Sequence, residues 1–91
     1  MSFLAEQHSQ PEAIAVEVGF TDDMICLTLL DGREVRTPLE LYPKLAQATP
    51  EQRMNYRLIG GGRGIHWKFL DEDLSVESIV LGRKAYNYQS R

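Results

Sequence analysis

Between Ala13 and Phe20 the residues alternate, with Ile14, Val16, Val18 and Phe20 set against Ala13, Ala15, Glu17 and Gly19. A period of two puts one set on one face of an extended chain, so the stretch predicts a strand burying Ile14, Val16, Val18 and Phe20. Thr21, Asp22 and Asp23 supply turn chemistry. The run MICLTLL, residues 24–30, alternates again through Ile25, Leu27 and Leu29. Its other face, Met24, Cys26, Thr28 and Leu30, is apolar enough for a central strand. Asp31-Gly32 fits a two-residue hairpin loop with positive φ at both positions. The segment REVRT, residues 33–37, then returns with Val35 inward and Glu34 and Arg36 outward, closing a three-stranded meander.

Helix grammar follows twice. Thr37, Pro38 and Glu40 read as N-cap, first helical residue and capping-box partner, and Thr49, Pro50 and Gln52 repeat the pattern. Between them Leu39, Tyr42, Leu45 and Ala46 fall at helical spacing, with Pro43 forcing a kink or a restart. Two or three short helical turns are expected over residues 38–54. A later hairpin follows: NYRLI (55–59), the connection GGGRG, and IHWKFL (65–70) with Ile65, Trp67 and Phe69 inward and His66 and Lys68 outward. Trp67 is expected to be buried against Val16, Leu27 or Leu29. The last helix takes Ser75 as N-cap, Leu74 and Ile79 as a hydrophobic staple and Gly82 as the C′ residue. Asp71, Glu72 and Asp73 then precede the positive end of its dipole. The expected fold is α+β: a small antiparallel sheet, formed by the meander and the later hairpin, with short helices and a capped C-terminal helix. Residues 1–12 read as a polar arm, 13–82 as one domain and 83–91 as a polar, basic tail with Tyr86 and Tyr88 as docking points.

With 91 residues the chain suits one small domain. A net charge of −3 argues against a general phosphate-binding surface, which needs clustered Lys and Arg. The single cysteine, Cys26, sits in an apolar run and reads as a core residue rather than a reactive thiol. No intramolecular disulfide can form, which suits a reducing, cytoplasmic setting. The N-terminal residues carry no basic, apolar signal sequence, and no run approaches the roughly 20 apolar residues of a membrane span. His8, in the arm, reads as a solvated histidine.

The stretch GGGRGIHWKFLDEDLS, residues 60–75, is the one place where chemistry could concentrate. A phosphate-binding loop needs its glycines to lead into a helix through GK[ST], and here they lead into a strand. The three adjacent acids lack calcium-loop spacing, and Cys26, His8 and His66 are too few and too scattered for zinc. His66 with a nearby carboxylate could form a dyad, with a ribonuclease-like pairing to Arg63 as its sharpest version. No nucleophile accompanies it, since Ser75 and Ser78 are committed to a helix start. The residues therefore predict no metal, no cofactor and no catalytic set. Arg63, His66 and Lys68 remain as an interaction surface.

Residues 30–83 resemble the bacterial family called domain of unknown function 2442. The resemblance rests on Asp31-Gly32-Arg33, Pro38-Leu39, Tyr42-Pro43, Ala48-Thr49, Arg53, Gly64-Ile65-His66-Trp67 and Asp71 to Val76. One departure is Lys68, where the similar subgroup has proline. The resemblance implies a small α+β domain without assigned catalytic residues, often encoded beside a small partner in toxin–antitoxin-like pairs. The leading expectation is a non-catalytic protein-interaction or regulatory module, the antitoxin-like half of a two-protein system, binding its neighbouring gene product. One rival is a nucleic-acid-binding regulator using Arg33, Arg36, Arg53, Arg57, Arg63, Arg83 and Lys84. The other is a small enzyme centred on His66. Self-association stays open.

Overall fold

A computed structural model of the chain describes residues 13–83. The expectations for the arm, for His8, Lys84, Tyr86 and Tyr88, and for most of the tail lie outside the described residues. Strands β1 (Ala15–Phe20), β2 (Met24–Leu29) and β3 (Glu34–Pro38) form an antiparallel sheet in that order. Strands β4 (Arg57–Ile59), β5 (Gly64–Trp67) and β6 (Glu72–Ser75) form a second. Between the sheets run a 3-10 turn (Leu39–Leu41), α1 (Pro43–Ala46) and α2 (Pro50–Met54), and α3 (Val76–Val80) follows β6. The α+β class and the central place of β2 agree with the hydrophobic pattern. No helix among the described residues is long and apolar enough to cross a membrane.

The first strand departs from its alternation. Ala15 pairs with Leu29 while Glu17 pairs with Thr28, so the ladder slips by one residue between Ala15 and Glu17. A bulge of this kind rotates the chain locally. Val16, expected inward, is 49% exposed, and Ala15 enters the core in its place. Gly62 packs so closely that a Cβ on it would stand 2.6 Å from the Ala15 carbonyl oxygen and 2.8 Å from Ile14 Cγ2. Further along β1, the Tyr56 hydroxyl donates to the Val18 carbonyl (3.3 Å) and accepts from its N–H (3.4 Å). This ties the chain just before β4 to an edge strand whose backbone would otherwise stay open.

The hairpin between β2 and β3 is also one residue longer than the dipeptide suggests. Gly32 N–H donates to Leu29 O and Leu29 N–H to Arg33 O, which leaves Leu30, Asp31 and Gly32 as the loop. Only Gly32 has positive φ (94°). Asp31 serves as an acceptor instead, for the Arg33 N–H (3.0 Å) and Nε (2.9 Å). These bonds, the backbone one foremost, hold its carboxyl below the ordinary value. Thr37 is no N-cap, because β3 runs on through Pro38 and the Thr37 hydroxyl donates to Ile79 O at 2.9 Å. That buried bond docks α3 on the first sheet. The second cap is as expected: Thr49 and Gln52 form a capping box on α2.

The acids at residues 71–73 do not wait before a helix. After Trp67 the chain makes a 3-10 turn (Lys68–Leu70), passes through Asp71 in the left-handed region (φ 53°), and pairs as β6 against β5. The later hairpin thereby gains a third strand. Phe69, expected in the core, lies in that turn and is 66% exposed. The cause is that β5 ends at Trp67, so the alternation stops carrying side chains inward. The α3 caps follow the sequence. Ser75 accepts from Ser78 N–H, while Gly82 N–H donates to Ile79 O and Arg83 N–H to Ser78 O.

Helices of four or five residues have no stability alone. Core packing holds α1 and α3: Leu45, Val76 and Ile79, with Leu39 and Tyr42, join Ile25, Leu27, Leu29, Ile65 and Trp67 in one core, whereas α2 buries no side chain of its own. Trp67 is fully buried, and its indole N–H donates to Arg53 O at 2.9 Å. The Arg53 side chain in turn donates to the carbonyls of Leu45 (2.8 Å) and Ala46 (3.0 Å) at the end of α1. Cys26 is not in this core; it is half-buried on the outer face of β2, in register with Arg36.

Trp67→Ala should cost about 3–5 kcal/mol, a large share of the roughly 5–15 kcal/mol available to such a domain. An unchanged melting temperature would remove Trp67 from the core. Gly32→Ala and Gly62→Ala both force a side chain to positive φ, at about 1–2 kcal/mol. Only Gly62→Ala also meets neighbouring atoms, so denaturant titration should show it costlier by a further ~1–3 kcal/mol.

Candidate functional site

Strand β5 is the middle strand of the second sheet, and its alternation is strict: Ile65 and Trp67 are fully buried, so His66 faces outward. In β6 Glu72 and Leu74 point inward and Asp73 and Ser75 outward. The register then aligns Arg57, His66 and Asp73 in one cross-strand row, with Ile59, Gly64 and Ser75 in the next. Directly opposed side chains on a sheet lie about 4.5–5.5 Å apart at Cβ, close enough to interact.

His66 and Asp73 do so. The His66 Nδ1 and an Asp73 carboxylate oxygen are hydrogen-bonded, and the side chains remain 28% and 41% exposed. A carboxylate on Nδ1 orients the imidazole and assigns Nε2 as the nitrogen free for another partner. Arg57, paired with His66 in the ladder, is exposed, and its guanidinium forms no hydrogen bond or ion pair among the described residues. This face presents a cation, an oriented imidazole and a carboxylate on rigid backbone.

The three predicted contact residues are spread along β5 rather than gathered on one face. Arg63 precedes the strand, its guanidinium donating to Gly60 O (3.0 Å) and its carbonyl accepting Val76 N–H (2.9 Å). Lys68 follows the strand, in the 3-10 turn, with its ammonium 5.9 Å from the Phe69 ring centroid. Only His66 lies on the sheet face itself. The sequence reads Asp71, Glu72 and Asp73 as a helix approach, and Leu74 and Val76 alone alternate with polar neighbours, too short a run to mark a strand that would bring Asp73 to this face. The basic residues of the nucleic-acid reading are likewise divided. Arg33 pairs with Asp31, Arg53 is consumed on α1 carbonyls, and Arg36 and Arg57 lie on different sheets.

The serine hydroxyl nearest this row in the register is occupied. Ser75 Oγ donates to Ser78 Oγ (2.7 Å) and accepts from Ser78 N–H (3.1 Å). No group of three or more His, Cys, Asp or Glu side chains among the described residues is placed to hold a metal ion.

Two polar groups sit on the inner side. The Tyr42 hydroxyl is buried with no hydrogen-bond partner among the described residues, and burial raises its pKa. Glu72, opposite Trp67 in register, is only 8% exposed. Lys44 from α1 reaches it at 3.7 Å and donates to Asp71 O at 2.9 Å, clamping the β5–β6 turn. Burial raises the Glu72 carboxyl above its ordinary value, and the attraction of Lys44 offsets part of the rise. The folded chain therefore holds this proton more tightly than the unfolded chain. The stabilisation is complete below the unfolded pKa, about 4.3, and is lost as pH rises through the higher folded value. Melting temperatures of the native chain should fall across that mildly acidic window, and the fall should be smaller in Glu72→Gln. An identical pH profile in the variant would remove Glu72 as its cause.

The fold has solved counterparts. A crystal structure of a protein of unknown function from Rhodospirillum rubrum superposes with a TM-score of 0.73 at 24% identity, covering 89% of this chain and 100% of that one. A solution NMR structure of an uncharacterized protein from Chromobacterium violaceum gives 0.68 at 21% identity, covering 92% of this chain and 76% of that one. At these identities the likeness is one of fold. No curated protein matches the sequence. The family model of the proteins of unknown function termed DUF2442 matches residues 15–85.

Proposed function

The chain belongs to the DUF2442 family, and from that premise we propose that it works as a non-catalytic protein-interaction module. In this reading it is the antitoxin-like half of a two-protein system in a bacterial cytoplasm, binding the product of an adjacent gene. The observation that supports it is the row Arg57–His66–Asp73 displayed on the open side of a sheet whose other side is sealed by Ile65 and Trp67. Such a face is pre-organised, so little ordering cost opposes association. Interfaces favour arginine and aromatic side chains. Arg57 and His66 form the centre of the contact in this proposal. Arg63 and Lys68 flank it from the two ends of β5, and Tyr86 and Tyr88 are further anchors.

Copurification and calorimetry with the adjacent gene product test the reading. If Arg57 is desolvated in the complex, Arg57→Ala should weaken binding by at least ~2 kcal/mol, roughly thirty-fold. Arg63→Ala should follow in the same direction, and the exposed control Glu51→Ala should bind as the native chain does. Equal binding by all three variants would place the interface elsewhere.

The His66–Asp73 pair also favours a second reading, a small enzyme with His66 as general base through Nε2 and Asp73 as its orienting partner. Cleavage of an RNA oligonucleotide by the purified chain, abolished in His66→Gln with the fold intact, would replace the binding reading with this one.

A further inference from the structure

A separate concavity lies where the β1–β2 turn meets the helical segment. Met24, Pro38, Leu39 and Ala46 form the apolar half of its lining, and its volume is about 370 Å³. That is room for one or two side chains. The walls are fixed to one another: Met24 pairs with Pro38 in the ladder, and Leu39 N–H donates to Asp23 O at 2.9 Å. The Thr21 hydroxyl further holds the turn by accepting Met24 N–H at 3.0 Å. The groove is thus preformed by backbone hydrogen bonds.

Its charge is one-sided. Asp22, Asp23 and Glu40 line it, are exposed, and have no ion-pair partner among the described residues. Arg53 is the cation in the lining, and its guanidinium is held on the Leu45 and Ala46 carbonyls. Three carboxylates against one guanidinium leave an excess of two negative charges beside an apolar surface.

We propose that this groove between the β1–β2 turn, the end of β3 and α1 docks a short protein segment that pairs an apolar residue with a lysine or arginine. The apolar side chain fills the space between Met24, Leu39 and Ala46. The cation meets the carboxylates of Asp22, Asp23 and Glu40. Electrostatic complementarity selects the partner and apolar burial holds it. The surface shares no residue with the Arg57–His66–Asp73 face, so either can fail without the other.

The test is an NMR titration of the full chain with a short capped peptide of alternating leucine and lysine, beside all-lysine and leucine–glutamate peptides. Amide shifts should map to residues 22–24, 39, 40 and 46, and the leucine–lysine peptide should bind best. Asp22→Asn combined with Glu40→Gln, both at exposed positions, should weaken it at least tenfold at an unchanged melting temperature. Ala46→Arg, which places a guanidinium beside the groove, should abolish the shifts. The proposal is overturned by shifts elsewhere, by equal binding of the all-lysine peptide, or by binding that survives the double variant. Concentration-dependent self-association of the native chain that disappears in these variants would assign the groove to a second copy and overturn it equally.

Discussion

The burial of Trp67 organises the rest of the molecule. The side chain is large enough to need both a cavity and a hydrogen-bond acceptor for its indole N–H. The Arg53 carbonyl supplies the acceptor, and it does so from the short helix α2. The same residue turns its side chain back to the last carbonyls of α1. One aromatic ring thus links the central strand of the second sheet to two helices that could not persist on their own. Placing Trp67 inward also decides the outer face, because a strand that points Trp67 and Ile65 to the core must point His66 to solvent.

The second constraint is the contact between the sheets at Gly62 and the β1 bulge. Backbone meets backbone there, and a methyl group has no space. The bulge brings Ala15 into the core beside this contact and sends Val16 outward. The glycine-rich loop, which from its composition resembles a phosphate cradle, serves as a close-packed joint. Several of the residues that carry the family resemblance are structural in this way. Gly32 and Arg33 shape a hairpin, Thr49 caps a helix, Arg53 closes another, and Trp67 fills the core.

What is left for function is the outward complement of these constraints. His66 and Asp73 meet because their neighbours in sequence are buried, and Arg57 joins them through register alone. Glu72 is the converse: it lies on the inward side of β6 and keeps its place through burial and Lys44 together. Its position beside the left-handed Asp71 means that the turn displaying Lys68 and Phe69 is clamped from α1.

The sequence by itself determined the class of fold, the three-strand meander, the capping box at Thr49, the cap at Ser75 and the end at Gly82. Each depends on interactions within a few residues, where periodicity and side-chain chemistry are sufficient. It also marked Trp67 as core and His66 as outward, since alternation assigns faces without knowing what covers them. Tertiary structure alone decided the bulge that expels Val16, the use of Thr37 to dock α3, and the conversion of Asp71–Asp73 from a helix approach into a turn and strand. It alone decided the pairing of His66 with Asp73. These outcomes turn on registers and contacts between segments far apart or differently paired, where a slip of one residue reverses every face. Local preference for a strand or a helix start at Glu72 and Asp73 is weak. The free edge of β5, already fixed by Trp67, supplied the hydrogen bonds that settled it.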